Sequence, residues 1–210
     1  MEKKYIIPII VLTGGPCGGK TEILGRFKKL LKKLGFVAVI IPETATIIMS
    51  REEKNNITLT NIERQRQIAK HQIAQEEKYL AKAEKLVAEG KKPIIICDRA
   101  LIDNKAYCTD EEWKILQNEF PALEHNHLYY ERYHGAIFLP TAPKPYYNRK
   151  NKVRKEGTHR EARKVNDATF KVYLPFEDLT HIGNLGGYEK KKLKADHALV
   201  HKVKRVHNSK

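Results

Sequence analysis

Residues 12–24 read LTGGPCGGKTEIL, with Gly14, Gly15, Gly18 and Gly19 inside six positions and Lys20-Thr21 directly behind them. Glycine loses more conformational freedom on folding than any other residue, so four this close together weaken any strand or helix interior. Their spacing supplies the reason for keeping them. Gly14, four residues, then Gly19-Lys20-Thr21 satisfies G-x-x-x-x-G-K-[ST], a loop whose backbone N–H groups turn inward on an anion. In such a loop Gly14, Gly15, Pro16, Cys17, Gly18 and Gly19 cradle phosphate. Lys20 reaches the β- and γ-phosphates, and the Thr21 hydroxyl ligates Mg2+. The flanks agree: residues 5–13 are a short apolar run rich in β-branched residues, predicting a strand buried on both faces. Downstream, Ile23, Leu24, Phe27, Leu30, Leu31 and Leu34 recur at helical spacing, and Gly35 closes the segment. Strand, glycine loop, helix is the order that aims a helix N-terminus at phosphate.

The rest of the chain repeats the alternation. Apolar runs predict strands over 36–41, 93–97, 135–140 and, more weakly, 179–182. A short helix is expected over 45–49, a polar loop over 50–59, and a long helix after the capping box Thr60-Asn61-Ile62-Glu63, ended by Gly90. Residues 103–133 read as irregular and helical, with one helix over 110–120. Further helices are expected over 162–173 and 188–206. The pattern predicts an α/β chain, with a P-loop NTPase three-layer sandwich, a mostly parallel sheet and one domain over residues 1–210 as the expected arrangement.

In such a sheet ligands bind beyond the carboxyl ends of the strands. The loop at Gly14, Glu43, Asp98 and the segment after Pro140 each follow a predicted strand end, so they converge on one rim. Asp98 closes its apolar strand like a Walker-B aspartate and pairs with Thr21 as the Mg2+ set. Glu43 either accepts a proton from an acceptor hydroxyl or caps the helix at Ala45. Arg99 either faces phosphate or acceptor, or serves a structural ion pair. Residues 149–164 carry eight basic side chains in sixteen positions. They read as a lid (about 146–164) with Arg154, Arg160 and Arg163 as candidates to fold over a triphosphate. The alternative is a solvated helix face.

TGGPCGGKT, PETA and CDRALIDNKAYC resemble the P-loop ATPase domain shared by bacterial nicotinamide riboside kinases and the TRPL-translocation-defect proteins. The likeness runs over roughly residues 5–185, and the first two motifs are closer to the translocation-defect branch. More loosely, the plan is similar to that of deoxynucleoside and thymidylate kinases. The resemblance implies Glu43 near the substrate, and Asp98-Arg99 beside metal and phosphate. It covers the nucleotide-binding domain and not the second domains that those relatives carry.

Bulk properties narrow the class. No apolar run approaches the roughly 18 residues of a membrane span. The apolar N-terminal run leads straight into the phosphate loop, so its removal as a signal peptide is not expected. Cys17, Cys97 and Cys108 are odd in number and lack C-x-x-C spacing, which fits a reducing, cytoplasmic setting rather than a disulfide or zinc framework. Cys17, near a helix N-terminus and Lys20, is expected to be the reactive thiol. Forty basic residues against twenty-five acidic ones leave +15. Nucleic acid and an anionic membrane surface are therefore partners that charge permits; packing of the basic 188–206 helix is the preferred reading. The functional expectation is a kinase that moves the γ-phosphoryl group of Mg-ATP to a nucleoside-like small molecule. The competing expectation is a nucleotide-dependent binding module, using ATP or GTP and touching anionic lipid. The sequence carries no N-K-x-D guanine-reading motif, which favours ATP.

Overall fold

The first three strands are runs rich in β-branched residues whose alternate side chains enter two different cores. In the computed structural model, which describes residues 5–147 and 158–208, β1 spans Ile9–Gly14. Its Ile10 and Leu12 join one apolar cluster, and Val11 joins the other. β2 (Val37–Ile41), β3 (Pro93–Asp98), β4 (Gly135–Leu139) and β5 (Leu179–His181) complete the sheet. Strand order is β2-β3-β1-β4-β5, and all four pairings are parallel. Burial on both faces is what a parallel sheet requires, because its crossover helices cover both sides.

Helix α1 (Lys20–Lys33) and helix α7 (Gly187–Asn208) cover one face. Ile23, Phe27 and Leu31 of α1, and Ala195, Leu199 and Val203 of α7, pack on Ile10, Leu12, Ile94 and Ile137. The other face carries α3 (Asn61–Ala88), α4 (Leu101–Lys105), α5 (Asp110–Glu119) and α6 (His159–Tyr173), with Trp113, Leu116, Leu128 and Tyr173 in its core. α2 (Thr44–Asn55) lies beside α3. The three-layer sandwich expected from the sequence is the observed fold.

Two local expectations are corrected. α2 does not stop near residue 49 but continues to Asn55, through the stretch read as loop. Its polar second half is held from outside: Glu52 receives a bidentate bond from Arg64 of α3 at 2.7 and 2.8 Å. Asn56, at φ 53°, then ends the helix in the left-handed region. α6 begins at His159 rather than 162, because the Thr158–Glu161 capping box starts it earlier. Arg160 and Arg163 are therefore helical, whereas Arg154 and most of the expected lid lie outside the described residues. No helix among the described residues is long and apolar enough to cross a membrane.

Phe27 is fully buried where α1 meets the sheet. Phe27→Ala is expected to destabilise the protein by about 3–5 kcal/mol through lost burial and the cavity left behind. Urea unfolding should show this as a lower midpoint at unchanged slope.

Candidate functional site

The glycine loop leaves β1 pressed against the end of β4. A Cβ on Gly14 would lie 1.9 Å from the Leu139 carbonyl oxygen, so no larger residue fits this approach. Gly15 N donates to the same carbonyl at 3.1 Å. Gly19 precedes α1 in the left-handed region, at φ 89°, and its Cβ would meet the Tyr188 hydroxyl at 2.7 Å. Cys17 is also left-handed, at φ 56°. Lys20 is almost buried, and its Nζ lies 3.3 Å from Gly14 O and 3.2 Å from Gly15 O, folded back over the loop it serves. Thr21 is exposed on the first turn of α1.

Parallel register sets the neighbours. Leu12 of β1 pairs with Asp98 of β3, so Asp98 stands one strand from the loop at the same level. Mg2+ favours one or two carboxylates plus substrate phosphates over an all-protein cage. A hydroxyl at Thr21, a carboxylate at Asp98 and a loop shaped for phosphate fit that preference. No cluster of three or more His, Cys, Asp or Glu that could hold a metal occurs among the described residues.

Glu43 and Arg99 meet. Arg99 Nε donates to Glu43 Oε1 at 2.7 Å, and its NH1 donates to Asp103 Oδ1 at 2.7 Å. Thr46 Oγ1 fixes the second Glu43 oxygen at 2.7 Å. Glu43 occupies the N-cap position of α2, yet its side chain makes no capping bond; it turns to Arg99 instead. Arg99 is buried and sits at φ 66°, a conformation disfavoured by roughly 1 kcal/mol or more that the surrounding bonds must hold. Burial works against its charge, but Tyr107, Asp103 and Glu43 outweigh that and hold its pKa above the ordinary arginine value.

Asp103, which sequence reading passed over, is the hub of this cluster. Its Oδ1 also accepts from Thr13 Oγ1 at 2.6 Å; its Oδ2 accepts from Ala100 N at 2.9 Å and Tyr173 OH at 2.6 Å. The only sequence signal was its place four residues after Arg99. A cavity of about 350 Å³ opens beside the pair, with Glu43, Arg99, Asp103 and Gln72 giving polar walls and Met49 and Ile68 apolar ones. Glu161 and Val165 of α6 close its far side. Arg160 and Arg163 are exposed and do not line it. α6 is nonetheless tied to the loop: Asn166 Oδ1 accepts from Thr141 N at 2.9 Å, and both residues lie against Gly15.

The first turn of α7 completes the rim, again unanticipated. Lys191 is buried, donating to Pro140 O at 3.0 Å and Asn184 Oδ1 at 2.9 Å. Burial pulls its pKa down to about 8. Nothing in the run Lys190-Lys191-Lys192 marks out the middle lysine; only packing does.

A family model described as an AAA domain matches residues 9–190. No curated protein matches the sequence. Among solved structures, the chain is similar to a NadR protein in complex with NR, at a TM-score of 0.67 and 15% identity over 93% of this chain and 51% of that one. It is also similar to a NadR protein in complex with NAD and AMP-PNP, at 0.61 and 14% over 93% and 49%. The chain thus spans about half the length of these structures. Such identities speak for fold, here the nucleotide-binding P-loop fold. With the family match, they bear out the expected kinship with nucleoside-kinase-like P-loop proteins.

The thiols make the loop testable. Cys17 is half-buried, Cys97 is fully buried with its pKa pushed up by burial, and burial pushes Cys108 up to about 12. Brief iodoacetamide treatment followed by peptide mapping should find Cys17 alkylated first, and Mg-ATP should slow that labelling. Equal labelling with and without nucleotide would place Cys17 outside the phosphate cradle.

Proposed function

This chain belongs to the AAA domain family, and we propose that it is a kinase transferring the γ-phosphoryl group of Mg-ATP to a nucleoside-like small molecule. The observation that carries the reading is the cavity beside Glu43 and Arg99. A nucleotide-dependent switch needs a phosphate loop but no second enclosed pocket at a carboxylate. At about 350 Å³ with mixed polar and apolar walls, the pocket is in the range of small-molecule sites. The structural neighbours' ligands, NR in one and NAD with AMP-PNP in the other, agree with a nucleoside-type acceptor and an adenine-nucleotide donor.

In this reading the backbone of residues 14–19 and Lys20 hold the donor's phosphates, with α1 presenting its N-terminus to them. Thr21 and Asp98 would hold Mg2+, which when bound would neutralise charge on the donor's phosphates. Glu43, fixed by Arg99 and Thr46, accepts the proton of the acceptor hydroxyl. Arg99 and Asp103 position that carboxylate. Arg160 and Arg163, at the start of α6, are the described lid arginines that would offset the charge of the triphosphate; Arg154, the third candidate, lies outside the described residues. One domain with this lid, acting in the reducing cytoplasm, is the working arrangement.

Two variants test the reading. Lys20→Ala should abolish the stabilisation by Mg-ATP, about 2.7 kcal/mol at a hundredfold excess over Kd, while the apo protein melts as before. Unchanged ligand-induced stabilisation would remove the nucleotide site. Glu43→Gln should leave nucleotide affinity nearly intact and cut phosphoryl transfer to the best acceptor in a nucleoside panel by about 10²–10⁴-fold. Wild-type protein that phosphorylates no hydroxyl compound in such a panel would instead be a nucleotide-dependent switch.

A further inference from the structure

The layer formed by α1 and α7 carries thirteen basic side chains against three acidic ones, +10 of the chain's +15. The two helices run parallel, since Lys192 meets Glu22 and Arg26 meets Asp196, four residues further along both. These contacts matter for charge. Glu22 and Glu189 both engage Lys192, at 3.5 and 2.5 Å, and Asp196 engages Arg26 at 2.6 Å. Every acidic residue of the two helices is thus already engaged by a cation within the layer, two of them by the same lysine. Lys28, Lys29, Lys32 and Lys33 of α1, and Lys190, Lys194 and Lys204 of α7, are exposed, and none of the seven makes an ion pair among the described residues.

Their arrangement is linear. Lys190, Lys194, His197, His201 and Lys204 are all exposed and follow one another at steps of four, three, four and three residues, a single stripe along α7. From Lys190 to Lys204 the stripe is about 21 Å long at 1.5 Å per residue. Strand phosphates of a duplex repeat about every 3.4 Å, so the stripe spans about six of them. Packing explains why helix α7 exists but not why its solvent side is so predominantly basic, because ordinary surfaces intersperse both signs.

We propose that the α1–α7 face is a docking surface for the sugar-phosphate backbone of a double-stranded nucleic acid. The face offers no platform for unstacked bases, which single-strand binders need. Among its exposed residues the one Phe, Tyr or Trp is Tyr188, and that ring packs against Gly19 and under Lys192. Recognition is therefore by phosphate contacts, independent of base sequence and steeply weakened by salt. A bilayer is the poorer match. Interfacial helices sink an apolar side carrying Trp, Phe or Leu into the headgroups, whereas here the apolar side of both helices is consumed by the sheet, and the exposed aliphatic residues are Leu193 within α7 and Leu34 and Leu185 beside the helix ends.

The test is fluorescence anisotropy of the full chain with a labelled duplex of about 20 base pairs, between about 50 and 200 mM salt. Log K should fall linearly with log salt, with a slope no steeper than about −6 because each contact adds about −0.9 and seven lysines are available. The variant Lys28→Glu, Lys32→Glu, Lys194→Glu, Lys204→Glu should bind at least about tenfold more weakly and lose about 3–4 units of slope. Its stabilisation by Mg-ATP should match wild type, which certifies the fold. Absence of duplex binding at about 50 mM salt overturns the proposal. So does equal binding by wild type and variant, which would move the contact elsewhere. Tighter, variant-sensitive binding to phosphatidylserine vesicles than to the duplex also overturns it, in favour of a membrane.

Discussion

The contact between Gly14 and the Leu139 carbonyl sets the terms for everything above the sheet. A helix can present free N–H groups to a phosphate only if the chain reaches it by a turn with its side chains out of the way. Here the turn is packed against the last residue of the neighbouring strand, with 1.9 Å where a Cβ would stand. That approach fixes the end of β1 relative to β4, and with it the level at which Thr141 meets Asn166 of α6. Tyr188, laid over Gly19, brings in α7 from the far end of the chain. A loop that looks flexible in sequence is clamped by three elements that follow it.

Beside the loop, charge is organised by pairing rather than by solvent. Arginine's planar fork matches carboxylates and holds its charge when buried, which lysine does less well. The chain uses it so. Arg99 bridges Glu43 and Asp103, Arg64 grips Glu52, and Arg132 donates to Glu76 at 2.6 Å. Glu76 in turn accepts from Gln72 at 2.8 Å and Tyr133 at 2.9 Å, so one bonded path runs from the cavity wall into the core. Such networks are stabilising only when complete, since a buried carboxylate stripped of its partner is expensive to keep charged.

What could be read in advance follows from which interactions are local. The strands announced themselves because apolar runs are continuous in sequence, and α3 because its capping box lies within four residues. The glycine loop was legible for the same reason. Residues 50–55 were not, because the bond that stabilises them comes from Arg64 on another helix. The capping box of α6, as local as that of α3, was passed over, and the helix start was placed three residues late. Asp103 was missed because its partners Thr13 and Tyr173 lie 90 and 70 residues away. Of Glu43 and Arg99 the sequence gives the position on the rim, whereas their bond to each other, 56 residues apart, emerges only in the fold.

The buried lysines show the converse of the arginine rule. Lys20, Lys191 and Lys202 are all buried, and each directs its ammonium at a backbone carbonyl: Gly14 and Gly15, Pro140, and Asp178 respectively. Each of these carbonyls lies at or beside a strand end. Lys202 adds the Asp178 carboxylate at 2.6 Å, which works against the lowering of its pKa by burial. Lys191 adds a neutral amide, Asn184, and burial lowers its pKa. Lys20 lies 3.3 and 3.2 Å from the carbonyls of Gly14 and Gly15, folded over the loop itself. Three lysines at similar depth thus differ in what stands beside the carbonyl each one meets. The one that meets the glycine loop is the one whose surroundings are shaped to admit an anion.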